Sequence, residues 1–146
     1  ANIFCAVEPK AGTHITKVTK NRKAPQFATI VKTITKKYPK ANTIHLVMDN
    51  LNTHKQKSLT DYYGKKKGEK IWGRFTPHYT PTHGSWLNQA EIEIGIMSRQ
   101  CLGKHRVPVL PELKRRVNAW NRRVNRKGTV IDWQFTKKKA RAKFEY

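Results

Sequence analysis

Apolar and polar positions change their period several times along the chain, and each change marks an element. Residues 2–7 (Asn-Ile-Phe-Cys-Ala-Val) and 13–19 (Thr-His-Ile-Thr-Lys-Val-Thr) read as strands around a Pro9-Lys10-Ala11-Gly12 turn, an antiparallel hairpin. The second strand alternates, with Ile15 between polar neighbours, as an edge or half-exposed strand does. Phe27, Ile30, Val31 and Ile34 then fall at helical spacing behind Pro25, so residues 25–37 are predicted as an amphipathic helix. The short apolar run at 43–48, closed by Asp49, fits a buried parallel strand. Between 55 and 71 the pattern dissolves into Lys, Gly and polar residues, which predicts one short helix and a mobile loop. A strand over 74–79 leads through a Pro81/Gly84 turn into a helix over 88–102, with Leu87, Ala90, Ile94, Met97 and Cys101 along one face. The last clear helix covers 111–125, striped by Leu113, Val117, Trp120 and Val124. After it come the aromatics of Trp133-Gln134-Phe135 and a basic tail. A hairpin followed by alternating helices and strands is a mixed α/β pattern, antiparallel first and parallel afterwards. No repeat or linker divides it, so residues 1–146 read as a single domain.

Charge narrows the range of partners. Thirty-one Lys and Arg against nine Asp and Glu give a formal net charge of +22, more than solubility requires. Such a chain repels itself unless a polyanion is present, which puts nucleic acid ahead of an anionic membrane surface. No apolar run approaches the roughly 18 residues of a spanning helix, so no membrane partner is expected. Lys outnumbers Arg, which favours non-specific attraction to phosphate over bidentate reading of bases. On the last helix, Lys114, Arg115, Arg116, Arg122 and Arg123 sit opposite the apolar stripe and form the candidate phosphate-binding face. Cys5 and Cys101 have neither a disulfide framework nor a zinc spacing, and fit a reducing cytosol.

Because acids are scarce, their positions carry information. Asp49 ends a strand and opens the turn Asn50-Leu51-Asn52-Thr53-His54, and open α/β sheets place chemistry at such strand ends. Glu91 lies one turn inside the helix that follows the strand at 74–79. Hard cations take carboxylate oxygens and share them with substrate phosphate, so the two acids together are a candidate Mg²⁺ site. Each has a plainer explanation. Asp is an ordinary turn former after a strand, and Asn88 followed by Glu91 resembles a capping box, in which the glutamate bonds back to the N-cap amide. Glu93 is the rival acid. At about 100° per residue, Glu91 lies roughly 60° from the centre of the apolar face and Glu93 roughly 90° away on the other flank. Glu91 is therefore expected nearer the sheet, and Glu93→Gln is expected to be close to silent. His54 and His83 occupy the loops after the two strands and are candidates for hydrogen bonds to backbone or phosphate. Trp86 and Trp72 are candidates for base stacking or for core anchoring.

Two stretches carry a family resemblance: Val47-Met48-Asp49-Asn50-Leu51-Asn52-Thr53-His54, and Tyr79-Thr80-Pro81 continuing to Trp86-Leu87-Asn88-Gln89-Ala90-Glu91. They resemble the second and third acidic motifs of DDE transposases, and most nearly the bacterial insertion-sequence branch of the mariner superfamily. The opening Ala-Val-Glu-Pro hairpin, the helix at Ser98-Arg99-Gln100-Cys101-Leu102 and the terminal Val130-Ile131-Asp132-Trp133-Gln134-Phe135-Thr136 are similar as well. The resemblance implies an RNase H-like (retroviral integrase-like) mixed sheet flanked by helices. It also implies two Mg²⁺ (or Mn²⁺) ions held with the help of Asp49 and Glu91, and cutting and joining of DNA at transposon ends and target. The setting it implies is a bacterial cytoplasm, in association with the nucleoid.

The chain departs from that pattern in three ways. The interval from Asp49 to Glu91 is lengthened by the Lys/Gly segment at 55–71, and the N-terminal helix-turn-helix region that would find transposon ends is not expected within this sequence. The first strand and its aspartate are expected before Ala1, and Glu8, at the hairpin turn, is a poor substitute for it. The reading that results is a DDE catalytic core, incomplete at its N-terminus, that needs an upstream transposase segment and is inactive without it. The missing strand is expected between the hairpin and the strand ending at Asp49, so a homodimer or a rearranged sheet is a further expectation. Asn50, His54, His83, Trp86, Lys114, Arg115 and Arg122 are the candidate nucleic-acid contacts. The alternative, from a different class, is a non-catalytic basic module that only binds DNA or RNA.

Overall fold

In a computed structural model, which describes residues 1–81, 88–104 and 106–144, the elements follow one another largely as the periodicity predicts. They are β1 (Asn2–Glu8), β2 (Thr13–Thr19), α1 (Ala24–Lys37), β3 (Ile44–Met48), α2 (Gln56–Tyr63), α3 (Lys65–Trp72), β4 (Phe75–Tyr79), α4 (Gln89–Met97), α5 (Leu110–Lys127) and α6 (Lys137–Phe144). A π-helical turn, Ser98–Leu102, continues α4 to the end of the predicted helix. In α1 a proline sits in the first turn and Lys36 and Lys37 in the last, where they complement the helix dipole. Its buried face is Phe27, Ala28, Ile30, Val31 and Ile34, which contains all four positions read from the sequence.

The four strands divide into two pairs instead of joining in one sheet. β1 runs antiparallel to β2 from Asn2 opposite Thr19 to Glu8 opposite Thr13. β3 runs parallel to β4 from Ile44 opposite Phe75 to Met48 opposite Tyr79. β3 is only half buried, contrary to the expectation of a buried strand. Ile44, Leu46 and Met48 pack toward the α1 core, while His45 and Val47 point the other way and stay exposed. Among the described residues, β1 and β3 each keep one edge without a strand partner.

Two apolar clusters hold these pairs. The first joins α1 with Met48, Leu59 and Phe75, and takes Phe4, Ala6 and Ile15 from the hairpin. The second is made of Val18, Met97, Val117 and Trp120, with Ile3, Ile96, Leu113 and Val124 around it. The hairpin thus gives one face to each cluster, and β2, an edge in its own sheet, is covered by α5 on its outer side.

The segment at 55–71 departs from expectation, since it holds two short helices rather than one helix and a loop. Leu59, Tyr63, Ile71 and Trp72 reach the first cluster from α2 and α3, a spacing too irregular to show a stripe. Gly68 allows the two helices to touch: a Cβ there would stand 2.6 Å from the Thr60 backbone. The basic tail forms α6, which the composition alone does not predict.

Candidate active site

Asp49 leaves the end of β3, and α4 begins at Asn88, so one element's C-terminal end and another's N-terminal end converge. Between them lies a cavity of about 560 Å³, lined among other residues by Asp49, His54, Gln89 and Glu91. The two acids singled out in the sequence therefore share one cavity.

Asp49 is held by its own turn. The His54 Nδ1 lies 2.5 Å from Asp49 Oδ1 and 3.4 Å from the Asp49 carbonyl oxygen. His54 is itself fixed from three sides. Its ring stacks on Phe27 at 4.7 Å, its backbone N–H donates to the Leu51 carbonyl, and its carbonyl accepts the Tyr79 hydroxyl at 2.7 Å. The close Nδ1–Oδ1 contact holds one oxygen of the Asp49 carboxyl against the imidazole. The Asp49 side chain is still 47% exposed, so its carboxylate is open to a cation as well as to His54.

Glu91 is exposed, and among the described residues its carboxylate has no hydrogen-bond or ion-pair partner. Asn88 does cap α4, its side chain accepting from the Ala90 N–H at 3.1 Å. Glu91 does not reciprocate toward Asn88, so the capping box is only half formed and the carboxylate remains available.

Glu93 is placed otherwise than its helical angle implied. It is more buried than Glu91 and turns to β2, where Oε2 meets His14 Nε2 at 2.8 Å, with side chains 12% and 5% exposed. His14 also lies edge-on to Trp120 at 5.3 Å, and Asn125 pairs with both its backbone N–H and its carbonyl. The packed side of α4 is thus Glu93, Ile96 and Met97, and not the whole stripe Ala90–Ile94–Met97. Ala90 and Ile94 instead face the cavity, where Ile94 is 39% exposed.

The remaining candidates are scattered. Asn50 is exposed just beyond Asp49. His83 and Trp86 lie outside the described residues. Trp72 packs on the first cluster beside Phe75, which is the core-anchoring reading. Lys114, Arg115 and Arg122 are exposed on α5, on a different element from the cavity. Arg115 forms a two-pronged pair with Glu112 at 2.8 Å, and Arg116 joins it at 2.7 Å. These hydrogen bonds hold the Glu112 carboxyl at about 2, well below the usual carboxylate range. Glu8 is spent on the Tyr38 hydroxyl at 2.7 Å. Burial, and then that hydrogen bond, push the tyrosine's pKa up.

Two cavity residues escaped sequence reasoning. Gln89, whose Oε1 is buried without a partner, stood inside a quoted motif but carries no charge to draw attention. Arg22 lines the cavity too, and as one cation among thirty-one it gave no signal. Among the described residues, no group of three or more His, Cys, Asp or Glu is gathered closely enough to hold a metal ion. No helix among them is long and apolar enough to cross a membrane.

Comparisons with curated proteins and with solved structures find no match. The family model of the DDE superfamily endonucleases matches residues 1–114, which include β1 through α4 and both Asp49 and Glu91. With more than three quarters of its length covered by that match, the chain belongs to the DDE superfamily endonucleases.

Proposed function

We propose that this chain is the catalytic core of a transposase of the bacterial insertion-sequence branch, built on an RNase H-like fold that cuts DNA at transposon ends and joins it to a target. The observation that carries the reading is the shared cavity: Asp49 brings a carboxylate whose side chain is 47% exposed, and Glu91 brings an unpaired carboxylate. Oxygen donors of this kind suit Mg²⁺ or Mn²⁺, and endonucleases of this superfamily generally use divalent metals. Asp49 and Glu91 would hold the metal side of the site. A pair of such ions, when bound, supplies activation of the attacking oxygen and stabilisation of the leaving one.

The chain's own residues have separate tasks in this reading. His54 Nδ1 orients the Asp49 carboxyl, and the stacking on Phe27 keeps the imidazole from swinging away. Asn50, His54, His83 and Trp86 contact the strand being cut, while Lys114, Arg115 and Arg122 hold flanking phosphates. Two carboxylates are fewer than two cations at phosphate call for, so a third acid comes from an upstream segment, and the chain alone does not cleave. The test is a Mg²⁺-dependent cleavage and strand-transfer assay on the chain joined to that segment. Cleavage is expected from the joined chain, and loss by a factor of at least 10³ on Asp49→Ala or Glu91→Ala. Cleavage retained by both variants would leave the basic, binding-only module as the better description.

A further inference from the structure

The layer formed by α1, α2 and α3 sorts its charges in a way that ion pairing does not explain. The Tyr63 ring carries two ammonium groups, Lys32 Nζ at 5.0 Å and Lys67 Nζ at 5.3 Å from its centroid. The two charges therefore stand within about one Debye length of each other at 0.1 M salt, and repel with little screening. Lys36, one turn along α1 from Lys32, adds a third charge. The Lys67 charge first, then burial, then Lys36, push the Lys32 pKa below the ordinary lysine value. No acid relieves this face. α1 contains none. Glu69, two positions from Lys67, points to another side of α3, where it lines a separate groove with Asp61, Lys57 and Lys65. Among the described residues, none of Lys32, Lys36 and Lys67 enters an ion pair. The face is also apart from the cavity. Ile30 and Ile34 line that cavity, and Lys32 and Lys36 stand about 200° from them around α1.

We infer that the face between α1 and α3 is a second nucleic-acid site, in which Lys32, Lys36 and Lys67 hold backbone phosphates of DNA away from the cavity. Like charges gathered without an acid destabilise the free protein, and a bound polyanion turns their repulsion into attraction while releasing its own counterions. Ammonium groups are point charges without a planar fork, so they suit phosphate and not base edges. Tyr63 fixes where two of them stand, which limits the side-chain freedom lost on binding. Tyr62, 49% exposed and edge-on to Tyr63 at 4.8 Å, adds an open ring beside them. Membership of the DDE superfamily endonucleases makes DNA the polyanion in question. The site does not depend on Asp49 and Glu91, since it holds DNA and takes no part in the cut.

The probe is a short fluorescein-labelled duplex of mixed sequence, its binding to the chain followed by anisotropy across a range of salt. The test variant carries Lys32→Gln and Lys67→Gln. The control carries Lys57→Gln and Lys65→Gln, the same charge change at the other groove. Losing two phosphate contacts should make the salt slope of the test variant shallower by about 1.8 and weaken its binding about tenfold near 0.1 M salt. The control should lose no more than about twofold, as screened surface charges do. An acylating ester read by mass spectrometry should label Lys32 and Lys67 more slowly when the duplex is bound, and Lys57 and Lys65 at an unchanged rate. The thermal midpoint of the free test variant should not fall below the parent's, because a repulsion has been removed. Equal weakening by both variants would mean bulk charge alone and overturn the site. Unchanged binding with a lowered midpoint would do the same, by making the lysines props for Tyr63. Poly-Glu protecting Lys32 at a lower concentration than the duplex would assign the face to an acidic peptide, which also overturns it. Because every readout is of binding, failure to cleave leaves this site standing, and its own failure leaves the reading of the cavity standing.

Discussion

Two residues apart on α4, Glu91 and Glu93 serve opposite sides of the helix. Their roles were only partly legible, because helical angle gives direction but not which neighbours have closed in. His14 reads as a plain polar position in an alternating strand, and nothing local announces that α5 will bury it beside Glu93. Glu93→Gln is therefore expected to cost about 1–3 kcal/mol in urea unfolding, the range for losing a charged hydrogen bond at a buried partner. Glu91→Gln should leave that midpoint within about 0.5 kcal/mol and remove metal-dependent cleavage from the joined chain. Equal stability for the two variants would mean the His14 contact contributes nothing. Cys5 allows a pH test. Burial first, and the Glu93 charge second, raise its thiol to about 12. A raised acid stabilises the fold fully below the unfolded value and loses that contribution as pH climbs through the folded one. Stability should thus fall from about pH 9 upward, less steeply in Cys5→Ala than in the parent. Parallel curves for the two proteins would rule the shift out.

At the scale of elements, long periodic segments were read well and short aperiodic ones were not. The stripe Leu113, Val117, Trp120 and Val124 on α5 and the apolar face of α1 match the clusters they enter. In the segment at 55–71 the sequence predicts one short helix where α2 and α3 both form, because their contacts depend on a close helix approach at Gly68, a tertiary fact with no local period. The hairpin turn was placed correctly, but not what holds it. Gly12 has φ +62, and a Cβ there would meet the Thr129 carbonyl oxygen at 2.4 Å. Nearby, the Ile131 N–H donates to the Pro9 carbonyl at 2.9 Å, so the turn is pinned by the segment after α5. Gly12→Ala should destabilise by about 1–3 kcal/mol, combining left-handed strain with backbone displacement. Gly64→Ala, also at positive φ but with open space around it, should cost less. The reverse order in thermal unfolding would contradict this packing of the turn.

For the whole molecule, charge was the most legible property and its distribution the least. The +22 net charge predicts sequence-tolerant duplex binding with steep salt dependence. If about six phosphates are neutralised, log K should fall with log salt at a slope near −5. A slope near zero by fluorescence anisotropy would exclude the electrostatic footprint. The structure adds an order among the cations that the sequence cannot supply. Arg115 already shares Glu112 with Arg116, so Arg115→Ala should weaken DNA binding less than Arg122→Ala.

The pairing of Asn125 with the His14 backbone spans 111 positions of the chain. A ribosome adding about 5–20 residues per second leaves β2 waiting on the order of 5–20 s for α5 to be made. During that interval the first cluster can assemble, because its buried members all lie between Phe27 and Phe75. Val18 and Ile3, which belong to the second, have no cover yet. The nascent hairpin is then an apolar ribbon with one finished face and one bare one. A chaperone that recognises exposed strands would meet this chain at that stage, before α5 arrives to take its place.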